Sequence, residues 1–482
     1  MNSTLIAFIA LYLLASIGIG LYAATRVKSA TDYAVAGRSL PLYIIVATTF
    51  ATWFGSETVL GVSAKFVQGG LNAVIEDPIG SSFCLIFVGL FFAYKLYRMT
   101  LLTIGDFYRK RYGTAVEVLC SLMILLSYLG WVAAQITALG LVFNLLSSGA
   151  IPVTTGMIIG TAIVLFYTLF GGMWSVALTD FFQMIIIVVG LVAIAVMAGQ
   201  MAGGATAVVD LARSQDFFRF FPEPTLHDWL FFIAAAITLM LGSIPQQDVF
   251  QRVMSSKDAR TAQVGPVLGG TFYLLFAFVP MFIVTSALLI MPEETRALLA
   301  DDPQKVLPTL IMNHMPLVAQ VFFFGALLSA IMSTASATLL APSTTFVENI
   351  YKHLRPGMDD KTFLRTMRIT VVCFTGFVLT YALVMEGTPI YEMVSSAYQV
   401  TLVGAFVPLA FGLYWKRATT QGAVLSIVAG VAVWVLLLAV PAWGEAFPAQ
   451  LAGLLASGVG MIVGSLMPQF MVDRAEMKPH LA

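Results

Sequence analysis

Five hydroxyl residues crowd one apolar stretch: Val321 to Leu340 carries Ser329, Ser333, Thr334, Ser336 and Thr338. At membrane depth a hydroxyl is costly unless it meets another helix, its own backbone or an ion. A sodium ion needs a close cage of neutral oxygens, and the adjacent Ser333 and Thr334 supply part of one. The rest must come from backbone carbonyls released where a different helix breaks. The segment Ala51-Thr52-Trp53-Phe54-Gly55-Ser56-Glu57 is such a place. The hydroxyls alone fit plain helix packing, since Ser and Thr often bond back to a carbonyl one turn earlier. Taken with the broken helix, they point to ion binding.

Around that break stand residues suited to holding an organic solute. Glu57, between Ser56 and Thr58, is an ionisable group in an apolar span and needs a cavity, a counter-charge or a bound cation; a protonated structural Glu fits equally well. Trp53 lies in the break, while Tyr128, Trp131 and Gln135 share one helix face by their spacing. Aromatics round a cavity stack on solutes and cationic head groups, although each Trp also fits ordinary packing. A second interruption runs from Gly242 through Pro245, Gln246 and Gln247 to Asp248. Gln246 offers a donor and an acceptor there, and Asp248 reads as a partner of Arg252 in an inner loop. Tyr391, Ser395, Ser396, Tyr398 and Gln399 could line the cavity from a late span. Asp180, two turns past Gly171-Gly172 and so about 10 Å into the membrane, should face a polar route such as a cation exit, or hydrogen-bond a neighbouring helix.

What positions these residues is a bundle of apolar helices. Of the 482 residues, 59% are hydrophobic and only 10% charged, a balance that soluble domains do not have. Thirteen spans are expected, near 4–24, 41–65, 78–97, 115–147, 152–170, 174–199, 229–247, 263–291, 307–346, 367–386, 389–415, 418–440 and 449–469. With the N-terminus outside and the C-terminus cytoplasmic, inner loops hold 20 of the 25 Lys and Arg, Arg252, Arg474 and Lys478 among them. Only Lys65, Arg213, Arg219, Arg296 and Lys305 fall outside, as the positive-inside rule requires of a multi-pass plasma-membrane or inner-membrane protein. The first span lacks a preceding basic residue, so it is expected to be a helix rather than a signal peptide. The outer segment of about Gln200 to Asp228 is expected to be an ordered lid or a connector.

The zero net charge points to no nucleic-acid partner. Cys84, Cys120 and Cys373 lie within spans and suggest no disulfide framework, and His227, His314, His353 and His480 have no metal-site spacing. No nucleophile–base pair or phosphate-cradling loop appears, so no enzyme and no cofactor are expected. Paired interruptions in two halves are the sequence mark of an inverted-repeat transporter with its site at the midplane. The whole of 1–482 is then one transporter domain: an extra helix at 4–24, a first repeat at 41–199, a second at 229–415 and two extra helices at 418–469. Nothing in the sequence sets the oligomeric state.

Three stretches resemble the sodium/solute symporters: Phe170-Gly-Gly-Met-Trp-Ser-Val-Ala-Leu-Thr-Asp-Phe-Phe-Gln183, Phe250-Gln-Arg-Val-Met-Ser-Ser-Lys-Asp-Ala-Arg-Thr-Ala-Gln263, and Ala330-Ile-Met-Ser-Thr-Ala-Ser with the later Ile350-Tyr351-Lys352. The resemblance implies an all-α, leucine-transporter-type core of five plus five helices, and one sodium site. Carried over by position, Ala51, Phe54 and Ala330 would give it backbone carbonyls, and Ser333 and Thr334 hydroxyls. Some members hold a second sodium near the Asp180 position; Asp180 and Ser336 are present, but Ala337 follows. The segment at 51–55 is similar to the choline-transporter branch, yet Gln246 and Ser81 replace two of its cage aromatics. Trp53 departs from the proline-carrier branch, and Glu57 is similar to a sugar-contacting residue of the galactose-type branch. The expectation is sodium-driven uptake of a small organic solute bound near Trp53, Ser56, Glu57, Trp131, Gln135, Gln246 and Gln399, such as an amino acid, choline or a betaine. A sugar, a monocarboxylate, or a sensor or leak channel on the same fold are the alternatives.

Overall fold

The computed structural model describes residues 3–471; Arg474, Lys478 and His480 lie outside them. Ten helices in it are long and apolar enough to cross a membrane. Two further spans are bent pairs: Leu42–Trp53 with Glu57–Ala73 turns by 53°, and Leu226–Gly242 with Gln247–Met254 by 46°. Among the described residues the only β-type pairing is an isolated bridge of Leu40 with Ser256. It ties the entry of the first broken helix to the exit of the second.

Several expected boundaries move. The 152–170 span is a shorter apolar helix, Val153–Phe166, running on into Thr168–Met201 with a kink at Gly172. Gly172 has φ +50°, and a Cβ there would meet the Tyr33 carbonyl at 2.5 Å, so only glycine lets the chain turn against that helix. The 307–346 span divides into Val306–His314 and Leu317–Leu354, because Pro316 starts a new helix rather than continuing the old one. The third span begins at Ile75, earlier than its hydropathy suggests, and so takes in Glu76 and Asp77.

The segments expected as inner loops meet at one end of the bundle. Arg38 donates to Leu101 O at 2.6 Å, Lys95 to Leu413 O at 3.3 Å and Arg111 to Gly412 O at 3.1 Å. Lys95 and Arg111 thus cover last-turn carbonyls of Val407–Tyr414, which lack intrahelical donors, and Arg38 a carbonyl of the link between two helices. At the other end Lys65, Lys305, Asp301 and Glu386 line a cavity of about 580 Å³ with Tyr391 in its wall. The segment after Gln200, expected to be an outer one, carries a short helix, Ala205–Ser214, and then docks on the first broken span. Phe217 O accepts from Leu71 N at 2.8 Å and Arg219 O from Asn72 N at 3.0 Å.

Candidate functional site

Each break frees backbone groups at mid-bundle. Phe54 leaves helical geometry (φ −76°, ψ 75°), and Gly55 N–H turns back to Trp53 O at 2.8 Å. An unbroken helix would have sent that N–H to Ala51 O. The Trp53 carbonyl also accepts the Thr58 hydroxyl at 2.9 Å. At the second break Pro245 has no N–H to give, and Gln246 is extended (φ −71°, ψ 138°).

The freed Ala51 carbonyl faces the hydroxyl helix. Ser333 Oγ lies 3.5 Å and Thr334 Oγ1 3.4 Å from Ala51 O, long contacts between oxygens that are all buried. The structure therefore brings together three of the five expected sodium ligands; Phe54 and Ala330 are buried on the same two elements, Ala330 one turn before Thr334. Glu57 joins them. A Cβ built on Gly55 would sit 2.7 Å from both Thr334 Oγ1 and Glu57 Oε2, so hydroxyl and carboxylate border the same small space.

On its other side Glu57 Oε2 accepts from Gln135 Nε2 at 2.6 Å, and Gln135 Oε1 accepts from Ser56 N and Oγ at 3.2 and 3.0 Å. Trp53 and Trp131 stack with centroids 5.3 Å apart, and Tyr398 packs on both at 5.4 and 5.2 Å. At that spacing no head group fits between the two Trp rings, so the aromatic cluster is closed on itself. Gln246 Nε2 donates to Ser127 Oγ at 2.8 Å, while its Oε1, Glu57 Oε1, Trp53 Nε1 and the Tyr398 hydroxyl are buried without partners. Gln399 does not join this group. One residue on from the inward Tyr398, it turns about 100° round the helix and accepts from Trp434 Nε1 at 3.0 Å. Ser396 is exposed, whereas Tyr391 and Ser395 face the cleft beside Glu57.

Asp180 is tied on three sides. Its oxygens take the Ser333 hydroxyl at 2.5 Å, the Thr48 hydroxyl, and Arg252 Nη2 at 3.3 Å. Arg252 also reaches Thr48 O at 2.7 Å and lies 3.8 Å from Asp248 Oδ2. Only 1% of Arg252 is exposed, so it is no inner-loop charge. A guanidinium can stand this deep because two carboxylates compensate it. Asp248, expected beside Arg252 in a loop, is paired with it as expected but buried, and accepts from Tyr128 OH at 2.5 Å. Of the two expectations for Asp180, a polar route or a hydrogen bond to a neighbouring helix, the contacts are of the second kind, and Ser333 links them to the Ala51 carbonyl. Ser336 donates to Ser333 O at 2.9 Å, within its own helix.

The sequence reading missed Glu76, Asp77 and Tyr273. Tyr273 OH donates to Asp77 Oδ1 at 2.6 Å and contacts Thr58 Oγ1 at 2.8 Å, and the Ser81 hydroxyl also bonds Asp77. Two acids beside Pro78 at the head of an apolar span are a detectable signal, since intramembrane carboxylates are expensive. Among the described residues no three His, Cys, Asp or Glu converge as a site for a bound metal would require.

The model of the sodium:solute symporter family matches residues 33–430. The chain is 30% identical to the human high affinity choline transporter 1 over 445 residues, covering 89% of this chain and 75% of that protein. It is 26% identical to the Escherichia coli sodium/pantothenate symporter, covering 95% and 96%. In structure it resembles a substrate-bound, outward-open Na+-coupled sialic acid symporter with a TM-score of 0.81 at 19% identity, over 96% of this chain and 97% of that one.

Proposed function

From the premise that this chain belongs to the sodium:solute symporter family, a family of transporters rather than enzymes with sodium as coupling ion, we propose that it imports a small organic solute carrying a positively charged nitrogen. Amino acids, choline and betaines are the classes that fit. The supporting observation is the placement of Glu57, which faces the Ala51–Ser333–Thr334 oxygens on one side and leads through Gln135 to the Trp53–Trp131–Tyr398 rings on the other. One carboxylate then senses both the ion and the solute. A sodium ion on the hydroxyl side offsets its charge, and a solute nitrogen gains ion pairing together with cation–π attraction of about 0.5–2 kcal/mol. Opening the closed aromatic cluster is part of binding. In this reading sodium stabilises the conformation that accepts solute.

Ala51, Phe54, Ala330, Ser333 and Thr334 hold the ion in this proposal. Arg252 on Asp180 and Asp248 closes the way to the cytoplasm, so inward release requires that group to come apart. The N-terminus is outside, which puts the Lys65–Lys305 cavity at the outer mouth, and 41–199 and 229–415 are the two repeats. One sodium crossing 100 mV releases about 2.3 kcal/mol, and a tenfold gradient adds about 1.4 kcal/mol, enough for roughly several-hundredfold accumulation. The test is uptake into proteoliposomes by the Ser333→Ala, Thr334→Ala double variant. Sodium activation should be sharply weakened while the protein still inserts; unchanged activation would sink the assignment of the ion site.

A further inference from the structure

Three carboxylates line a cleft that shares Tyr391 with the larger cavity, without converging closely enough to hold one metal ion between them. Glu57, Glu76 and Asp77 line one narrow cleft with Tyr391 and Ser395, too tight in this conformation to hold a water molecule, so a ligand has to widen it on entry. All three are more than nine-tenths buried, at 2%, 7% and 3% exposed. Each keeps one oxygen without a hydrogen-bond partner: Glu57 Oε1, Glu76 Oε1 and Asp77 Oδ2. Other contacts anchor two of them. Gln135 holds Glu57, while Tyr273 and Ser81 hold Asp77. No basic residue lines the cleft. Lys65, at the mouth, lies 3.9 Å from Glu392 and over the Tyr391 ring.

Buried carboxylates persist when something compensates them, and here the protein's nearest cation is Lys65, which lines the neighbouring cavity with Glu76 but not the cleft itself. A single ammonium on Glu57 would leave two unmatched acids beside it. We infer that Glu76 and Asp77 form with Glu57 a site for a second positively charged nitrogen, so that the solute is an organic dication such as a diamine rather than a zwitterion. The inference rests on the reading of this cavity as the site for a positively charged nitrogen, and it replaces amino acids, choline and betaines by a dication as the solute. A zwitterion would bring its own carboxylate against three others, whereas a diamine sets one nitrogen near Glu57 and the aromatic rings and the other between Glu76 and Asp77. Glu76 and Tyr391 also face a neighbouring outer cavity that contains Asn72 and Arg219, so the second subsite is the first that an entering cation meets.

The experiment is binding to the purified full-length protein in sodium, read by thermal shift, with 1,4-diaminobutane, butylamine, choline and glycine betaine as probes. Diaminobutane should half-saturate at a concentration about tenfold or more below butylamine, as expected for one added charged hydrogen bond. Glu76→Gln with Asp77→Asn should remove that advantage, so that diaminobutane half-saturates within about twofold of butylamine in the same variant. Sodium-induced stabilisation reports whether the double variant is folded; if it is not, the wild-type ranking of the four probes decides. Choline or betaine binding as tightly as diaminobutane overturns the dication inference and leaves sodium-coupled transport standing. A diamine preference abolished by the double variant, but indifferent to sodium, sustains the inference and refutes the coupling. Failure of every amine overturns both.

Discussion

Gly55→Ala tests the proposed ion site with one added methyl group. Gly55 lies outside the left-handed backbone region, so alanine brings no backbone strain and the fold should persist. The new Cβ would stand 2.7 Å from Thr334 Oγ1, 2.7 Å from Glu57 Oε2 and 3.0 Å from Glu57 Oε1. Comfortable non-bonded contact is about 3.5 Å, so the first two oxygens must each retreat by about 0.8 Å. They cannot retreat freely, because Gln135 holds Glu57 at 2.6 Å and the Thr334 helix is buried throughout this stretch. The methyl therefore takes the space between the hydroxyl and the carboxylate. Losing one such oxygen from a charged partner costs about 1.5–3 kcal/mol, which raises half-saturating sodium roughly 10- to 100-fold. The assay is sodium titration of thermal stability in purified protein, paired with sodium dependence of uptake in proteoliposomes. A folded variant with half-saturating sodium within about twofold of wild type would show that this space is not the ion's.

Arg252→Met should destabilise the protein by about 3–5 kcal/mol, because Asp180 and Asp248 would be left buried without their counter-charge; adding Asp180→Asn should recover part of the loss in a thermal melt. Trp131→Leu keeps an apolar side chain but removes a ring stacked on Trp53, so affinity for a cationic probe should fall by about 2- to 30-fold with sodium stabilisation retained. Gly70→Ala should loosen the segment after Gln200, since Gly70 has φ +65° and a Cβ there would meet Phe217 O at 2.6 Å; faster proteolysis or hydrogen exchange between residues 205 and 225 would report it.

What the sequence determined by itself is what depends on composition and local pattern. Long apolar stretches must become helices in a bilayer, because only internal hydrogen bonding satisfies the backbone there, and Phe54-Gly55 and Pro245 mark where that bonding fails. The pairing of hydroxyls at Ser333 and Thr334 with a break at Ala51 was legible for the same reason: polar groups in apolar surroundings need partners, and few are available. The choice of partners was not legible. Arg252 looked like a loop cation because its neighbours in sequence are polar, yet it is buried against Asp180, a residue 72 positions away. Glu76 and Asp77 looked like the rim of a span, and only the approach of Tyr273 and Glu57 from other helices makes them part of a cleft. Gln399 looked like a cavity residue because Tyr398 is one, but one step along a helix turns a side chain to the opposite neighbour. Those outcomes rest on helix rotation and packing between distant segments, and close packing admits one arrangement where a one-dimensional pattern leaves several.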